Sequence, residues 1–189
     1  MTSLVWFLII VGLLLVLWVI GMFNGLIVLK NRVAEAASDI DVQLKRRHDL
    51  IPNLINTVKG YASHESSLFE KVTEARSSAI SAGSKGIADK AAAENALTSS
   101  LRSLFAVAEN YPDLKANTNF LALQEELSDT ENKIMSSRRF YNSNVKSFNT
   151  RQEIFPTSII AKMFAFKKSD LFELEDISER EVPEVNFGA

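Results

Sequence analysis

The chain has 189 residues, a formal net charge of -2, 21 basic and 23 acidic side chains, and no cysteine. It lacks the basic clusters of a nucleic-acid surface, so the composition argues against a nucleic-acid partner. The absence of cysteine excludes a cysteine nucleophile and a lipoprotein anchor.

The first 29 residues contain no charged side chain. Their apolar run, residues 4–29, would form a helix of roughly 39 Å, which is longer than the ~30 Å hydrocarbon core of a bilayer. A cleaved signal peptide would have a basic start and a shorter apolar core of ~7–15 residues, and it is the less favoured alternative. The pattern therefore predicts a transmembrane helix preceded by a short extracytoplasmic N-terminus, residues 1–3.

Basic residues occur only after this helix, beginning with Lys30 and Arg32. The positive-inside rule then predicts a single-pass protein of the inner, cytoplasmic membrane, with its N-terminus outside and the remainder in the cytoplasm. Within the apolar run, Gly21 and Gly25 are spaced so that two such helices can approach closely. We therefore treat this glycine pair as a candidate site of self-association, with a homo-oligomer as the expected assembly.

Residues 30–62 continue as a predicted helix with a seam of the coiled-coil type, in steps of three and four. The seam comprises Val33, Ala37, Ile40, Leu44, Arg47, Ile51, Leu54, Val58 and Tyr61. Arg47 is its only charged member, and an unpaired buried charge costs on the order of 3–5 kcal/mol. Arg47 must pair, extend to water or face a partner subunit. An antiparallel first and fourth helix would bring Glu131 level with it as a buried polar mate.

Further helices are predicted at about 64–82, 87–110, 117–153 and, as a short element, 157–166. Short loops favour antiparallel neighbours, so residues 30–168 are expected to form an up-down four-helix bundle with long first and fourth helices. The predicted fold class is therefore all-α. The remainder, residues 169–189, is acidic and is predicted to be an extended tail.

The fourth helix would return toward the bilayer and deliver an apolar segment there. This segment combines three lysines with Phe155, Ile159, Ile160, Phe164 and Phe166. It suits a membrane interface. The alternative, slightly favoured from the sequence, is that these side chains plug the base of the bundle.

Catalytic and metal-binding patterns are missing from the sequence. The two histidines are His48, expected at the surface of a basic turn, and His64, expected at a helix start. No glycine-rich phosphate loop, H-E-x-x-H or Glu-x-x-His pattern occurs. We therefore predict no catalytic, cofactor-binding or metal residue, no cofactor, and no small-molecule substrate.

Several motifs, taken together, resemble the LemA family. In chain order they are DIDVQLKRRHDLIPNL (39–54), VKGY (58–61), AVAENYPDLKA (106–116), FLALQEE (120–126), TENKI (130–134), RRFYN (138–142), FNT (148–150) and FP (155–156). The departures are small: Ala37 stands where an aromatic residue is usual, and Asn56 and Thr57 occupy a variable position. The resemblance implies a bacterial membrane protein with one N-terminal transmembrane helix and a helical bundle, and it leaves the activity open.

Architecture without a catalytic constellation favours a membrane scaffold. Such a protein would self-associate or assemble with other membrane proteins, and it would organise or shape the membrane. A second class is a regulatory adaptor that recruits a partner enzyme through its bundle or acidic tail. An enzyme is the least favoured class.

Overall fold

The computed structural model describes residues 2–173, and this part of the chain is all-helical and contains no strand. The helices are α1 (Thr2–Lys59), α2 (Ser66–Ala82), α3 (Ile87–Ala108), α4 (Pro112–Lys115), α5 (Thr118–Glu153) and α6 (Thr157–Met163). The predicted all-α class is confirmed. Residues 174–189, which include most of the predicted acidic tail, lie outside the described residues.

Helix α1 runs without interruption for 58 residues, through Pro52. The side chains of residues 2–21 are exposed almost throughout. Burial begins at Met22, and Leu26 is completely buried. The apolar run of the sequence therefore has two parts in the structure, a bare part that ends near Gly21 and a part packed against protein.

The described residues divide into two compact units. The first combines residues 2–43 with residues 133–171, and the second combines residues 44–132 with residues 172 and 173. Helices α1 and α5 each contribute to both units, while α2, α3 and α4 belong to the second and α6 belongs to the first.

The second unit has a continuous apolar core to which α1, α2, α3, α4 and α5 all contribute. Its largest members are Ile51, Leu54, Val58, Phe69, Val72, Leu97, Leu101, Leu104, Leu114, Phe120 and Leu127. The short helix α4 lies where the sequence signalled only a stop, and it places Leu114 in this core. It starts with Pro112, which fits a first helical turn because that position needs no N–H donor.

The predicted seam of α1 is buried at most of its positions, with two departures. Ala36 rather than Ala37 is fully buried. Tyr61 is exposed because α1 ends at Lys59, so that Tyr61 no longer follows the helical period. Its hydroxyl instead accepts a hydrogen bond from Asn117 Nδ2 at 2.9 Å.

In the first unit, the chain leaves α6 and runs back along α5 without helix. Asn149 holds Ser169 by two reciprocal hydrogen bonds of 2.9 and 3.0 Å between its carboxamide and the Ser169 backbone. The Tyr141 hydroxyl donates to the carbonyl of Asp170 at 2.9 Å. Burial raises the pKa of Tyr141, and the nearby charge of Asp170 adds to this effect, so the phenol remains a donor well above neutral pH.

The turn after α6 has Ala165 in the left-handed region, at φ 53°. The Phe166 N–H donates to the carbonyl of Ala161 at 2.9 Å, and the Ala165 N–H donates to that of Lys162 at 3.2 Å. These two bonds define a Schellman motif, in which the left-handed position is usually glycine. The motif ends the helix at Met163, three residues before the end that the sequence predicts.

Candidate functional site

A buried cluster of charged and polar side chains lies in the second unit and is centred on Arg47 of α1. Its Nη2 donates to Oε2 of Glu94 on α3, and its Nη1 donates to Glu131 Oε2 on α5 at 2.6 Å. Nη1 also donates to Thr98 Oγ1 at 2.9 Å. The Thr98 hydroxyl in turn donates to the backbone carbonyl of Glu94 at 3.0 Å. Arg47 thus connects three helices.

The structure brings together the predicted pair of Arg47 and Glu131, but it shows that Glu131 is not a buried partner. The Glu131 side chain is 38% exposed, whereas those of Arg47 and Glu94 are each 1% exposed. The charge of Arg47 is therefore compensated inside the core by Glu94, a residue that sequence analysis missed. Glu131 completes the arrangement from the solvent side.

The expectation that His48 lies at the surface is wrong. His48 is buried, and its Nε2 lies 2.9 Å from Glu94 Oε1. One carboxylate therefore binds two neighbouring side chains of α1, Arg47 through one oxygen and His48 through the other. In addition, Arg76 Nε on α2 donates to the backbone carbonyl of His48 at 2.7 Å. This turn of α1 consequently contacts α2, α3 and α5.

The electrostatics favour an ionised Glu94. Burial alone would raise the pKa of this carboxyl, but the hydrogen bond to His48 and the charge of Arg47 more than offset it, so that the pKa of Glu94 lies below its usual range. Around the buried core, Arg46 forms ion pairs with Glu126 and Asp129 on α5, where all three side chains are partly exposed. Such exposed pairs contribute little to stability.

A shallow groove of about 580 Å³ lies beside this network, between α1 and the start of α5. Its lining mixes polar and apolar groups: Asn53, Asn56, Thr57, Asn119, Ala122, Leu123 and Glu126. Within residues 2–173 there is no group of three or more side chains that could hold a metal ion. The arrangement of the buried network suits the fixing of helix register rather than the activation of a nucleophile, because its carboxylate and guanidinium already bind each other.

The glycine pair of the apolar helix lies at the boundary of its bare part. A Cβ atom built on Gly21 or on Gly25 would have no atom within 4 Å. The described residues therefore leave this face of α1 open at both glycines.

The apolar segment near α6 is divided between two environments. Ile160 is buried, and the half-buried ring of Phe166 lies 5.8 Å from that of Phe23 on α1. Ile159 and Phe164 are exposed, and Phe155 is 80% exposed. The segment thus packs on the first unit with one face and leaves the other apolar face uncovered by described residues.

The described chain is all-helical and has a bare N-terminal apolar helix, and these are the features of a membrane-associated helical protein. One helix, α1, is long and apolar enough to cross a membrane by length and composition. The model of the LemA family matches residues 36–187, and the chain belongs to this family.

The chain is also similar to three individual proteins. Protein LemA of Metamycoplasma hominis is 27% identical over 165 residues, which cover 86% of this chain and 74% of that protein. Magnetosome protein MamQ of Magnetospirillum gryphiswaldense is 22% identical, over 79% of this chain and 64% of the relative. Magnetosome protein MamQ 2 of Paramagnetospirillum magneticum is 21% identical, over 80% of this chain and 64% of its own length. This chain therefore spans less than two thirds of the MamQ proteins.

Proposed function

We propose that this protein is a single-pass membrane scaffold that self-associates and organises the membrane or membrane-protein assemblies, and that it has no catalytic activity. The observation that carries the proposal is the change in burial along α1. Residues 2–21, about 20 residues or about 30 Å of helix, are bare, and burial begins at Met22. This bare length matches the ~30 Å hydrocarbon core of a bilayer.

In this proposal, the long helices α1 and α5 together with α2 and α3 form an antiparallel four-helix bundle. The N-terminus lies outside the inner membrane and the bundle lies in the cytoplasm, since Lys30 and Arg32 follow the bare segment. The similarity to LemA and to magnetosome proteins supports membrane association. The buried ion pair of Arg47 and Glu94 supports a structural rather than a catalytic role for the bundle.

Self-association is assigned to the open glycine face of α1. Small residues four positions apart let two helices in a bilayer approach closely. Because a Cβ at Gly21 or Gly25 meets no atom of the described chain within 4 Å, the single chain accommodates alanine at either position. Gly12 offers a matched control, since a Cβ at Gly12 also meets nothing within 4 Å and the helical period places it about 180° around α1 from Gly21.

The test is the mass of the full chain in lipid nanodiscs. Wild type is expected to contain more than one copy. The double variant Gly21→Ala with Gly25→Ala is expected to shift toward the single-copy mass, whereas Gly12→Ala keeps the wild-type mass. A wild-type protein that is strictly monomeric at all concentrations would overturn the scaffold proposal.

The alternative is an adaptor that recruits a partner enzyme to the membrane through its bundle or acidic tail. Seven acidic residues against one basic residue in the stretch 170–184 favour this alternative. It predicts that a chain ending at residue 173 loses co-purifying proteins but keeps the wild-type number of copies in each nanodisc.

A further inference from the structure

The change in burial along α1 marks the edge of the bilayer, an inference that rests on the proposed membrane span. The bare segment ends at Gly21, and Met22 and Leu26 are buried. If the bare helix fills the hydrocarbon core, the packed part of the protein begins at the level of Met22. Any element that contacts α1 at this level therefore lies at the surface of the bilayer.

Helix α6 and the turn after it contact α1 at this level. The ring centroids of Phe23 and Phe164 are 4.7 Å apart. Phe166 approaches the same ring, and its centroid lies 6.3 Å from that of Phe148 on α5. Both aromatic side chains of the turn are thus fixed next to the first buried residues of α1.

One face of α6 and of the turn after it is not covered by the described residues. Ile160 and Ala161 pack inward, whereas Ile159 and Met163, one helical turn apart, are exposed together with Phe164. Phe155, just before α6, extends the same apolar character. Exposed large apolar side chains grouped within so short a segment are unfavourable in water and favour an interaction site.

Three lysine side chains place positive charge beside this face. Lys162, Lys167 and Lys168 are exposed. Lys168 forms an ion pair with Glu153 that is itself exposed. Exposed apolar side chains beside lysines are the composition of elements that lie in the membrane–water interface, where the cations approach anionic headgroups.

We propose that α6 and the turn after it, residues 155–168, insert their apolar face (Phe155, Ile159, Met163 and Phe164) into the interface of the bilayer that α1 spans, and that the lysines bind anionic lipid headgroups. The segment therefore forms a second, interfacial contact with the membrane. It acts both as the packed end of the helical unit, through Ile160 and Phe166, and as a lipid-facing surface.

The absence of cysteine makes a site-specific test direct, because every introduced cysteine is unique. The full-length variants Met163→Cys, Leu14→Cys and Ser78→Cys are each labelled with one fluorophore and reconstituted into vesicles with brominated lipid. Leu14 lies in the bare segment, and Ser78 is exposed on α2. The label at 163 is expected to lose emission as the label at 14 does, while the label at 78 keeps its emission.

The two proposals fail in different ways. Loss of emission at 14 but not at 163 overturns the interfacial contact and leaves the membrane span intact. Retained emission at 14 overturns the span itself. A second occupant of the face, the acidic segment 174–189, is tested with the chain ending at residue 173. Quenching at 163 that appears only in this shortened chain means that the tail covers the face, and it overturns the proposal.

The role of the lysines is tested in the same vesicles by changing lipid charge. The loss of emission at 163 is expected to be larger with phosphatidylglycerol than with phosphatidylcholine alone. The change Lys162→Gln with Lys167→Gln is expected to remove this difference, whereas Lys115→Gln, an exposed lysine of α4, preserves it. Quenching that is independent of lipid charge in the unaltered lysine background would overturn the headgroup contact.

Discussion

Arg47 and Glu94 form an ion pair in which each side chain is 1% exposed, and the pair joins α1 to α3. The other carboxylate oxygen of Glu94 binds His48, the next residue of α1. The pair therefore fixes both the axial position of α1 relative to α3 and the rotation of α1 about its own axis. A shift of one residue along α1 would place the guanidinium among apolar side chains.

Removal of the guanidinium is the first test of this network. Arg47→Met leaves the Glu94 carboxylate buried without its guanidinium partner, and we expect a loss of about 3–5 kcal/mol in the free energy of unfolding. The measurement is chemical unfolding in detergent, followed by circular dichroism. Lys45→Met is the matched control, since Lys45 pairs with Asp49 in full solvent and its loss leaves the midpoint unchanged. Equal midpoints for the two variants would contradict a stabilising role for Arg47.

The two carboxylates that bind Arg47 should contribute unequally to the free energy of unfolding. Glu94→Gln removes the buried charge and leaves Arg47 with one half-exposed partner, so a loss of about 3 kcal/mol is expected. Glu131→Gln removes a pair that solvent already screens, and a loss of about 1 kcal/mol or less is expected. The same unfolding experiment compares the two variants. A larger loss for Glu131→Gln would show that the network is organised from its exposed side.

The lowered pKa of Glu94 predicts that acid decreases the stability that this residue contributes to the folded state. Because the folded state binds the proton less tightly than the unfolded state, ionised Glu94 contributes its stability above the usual carboxyl pKa of about 4.5. This contribution is lost as pH falls through the lower folded pKa. The difference in melting temperature between wild type and Glu94→Gln should be full at pH 7 and should shrink progressively below pH 4.5. A difference that stays constant down to pH 3 would contradict the assignment.

Ala165 provides a test of the turn that ends α6. A left-handed conformation costs a residue with a Cβ roughly 1 kcal/mol relative to glycine. Ala165→Gly is therefore expected to stabilise the protein by about 1 kcal/mol, measured as a rise in melting temperature. Ala161→Gly, inside the same helix, should instead destabilise it. Stabilisation by both changes, or by neither, would contradict the Schellman turn.

The return of the chain along α5 rests on the carboxamide of Asn149. Asn149→Ala removes two hydrogen bonds to the backbone of Ser169, and a loss of about 1–3 kcal/mol is expected. Amide hydrogen exchange at residues 167–171 should accelerate as well. Asn144→Ala is the control, because Asn144 bonds only within α5, to the carbonyl of Phe140. Its exchange pattern at 167–171 should match that of wild type.

The periodicity of α1 identified Arg47 because a charge interrupts an otherwise apolar seam. The same reasoning could have identified Glu94. It precedes Leu97 by three residues and Leu101 by seven, so it continues the apolar stripe of α3 toward its start. Two opposite charges in the stripes of two facing helices are a signal that each stripe alone does not give. His48 carried no such signal, since its burial depends on how closely α3 approaches α1.

The sequence predicted helices near 87–110 and 117–153 close to those observed, because Gly86 and Tyr111–Pro112 punctuate the chain. It did not divide the apolar segment at α6 into packed and exposed residues. That division depends on aromatic contacts with Phe23, about 140 residues earlier, and on the left-handed turn at Ala165. A local pattern contains information about neither.

The bare part of α1 has little length to spare. A helix longer than the bilayer core can tilt, but about 20 residues in a core of ~30 Å stand nearly upright. In the proposed span, a thicker bilayer would reach Met22 and Leu26, which are already covered by protein. We therefore expect the protein to prefer thin bilayers and to thin the lipid around it elsewhere, so that membrane thickness would sort it between membranes.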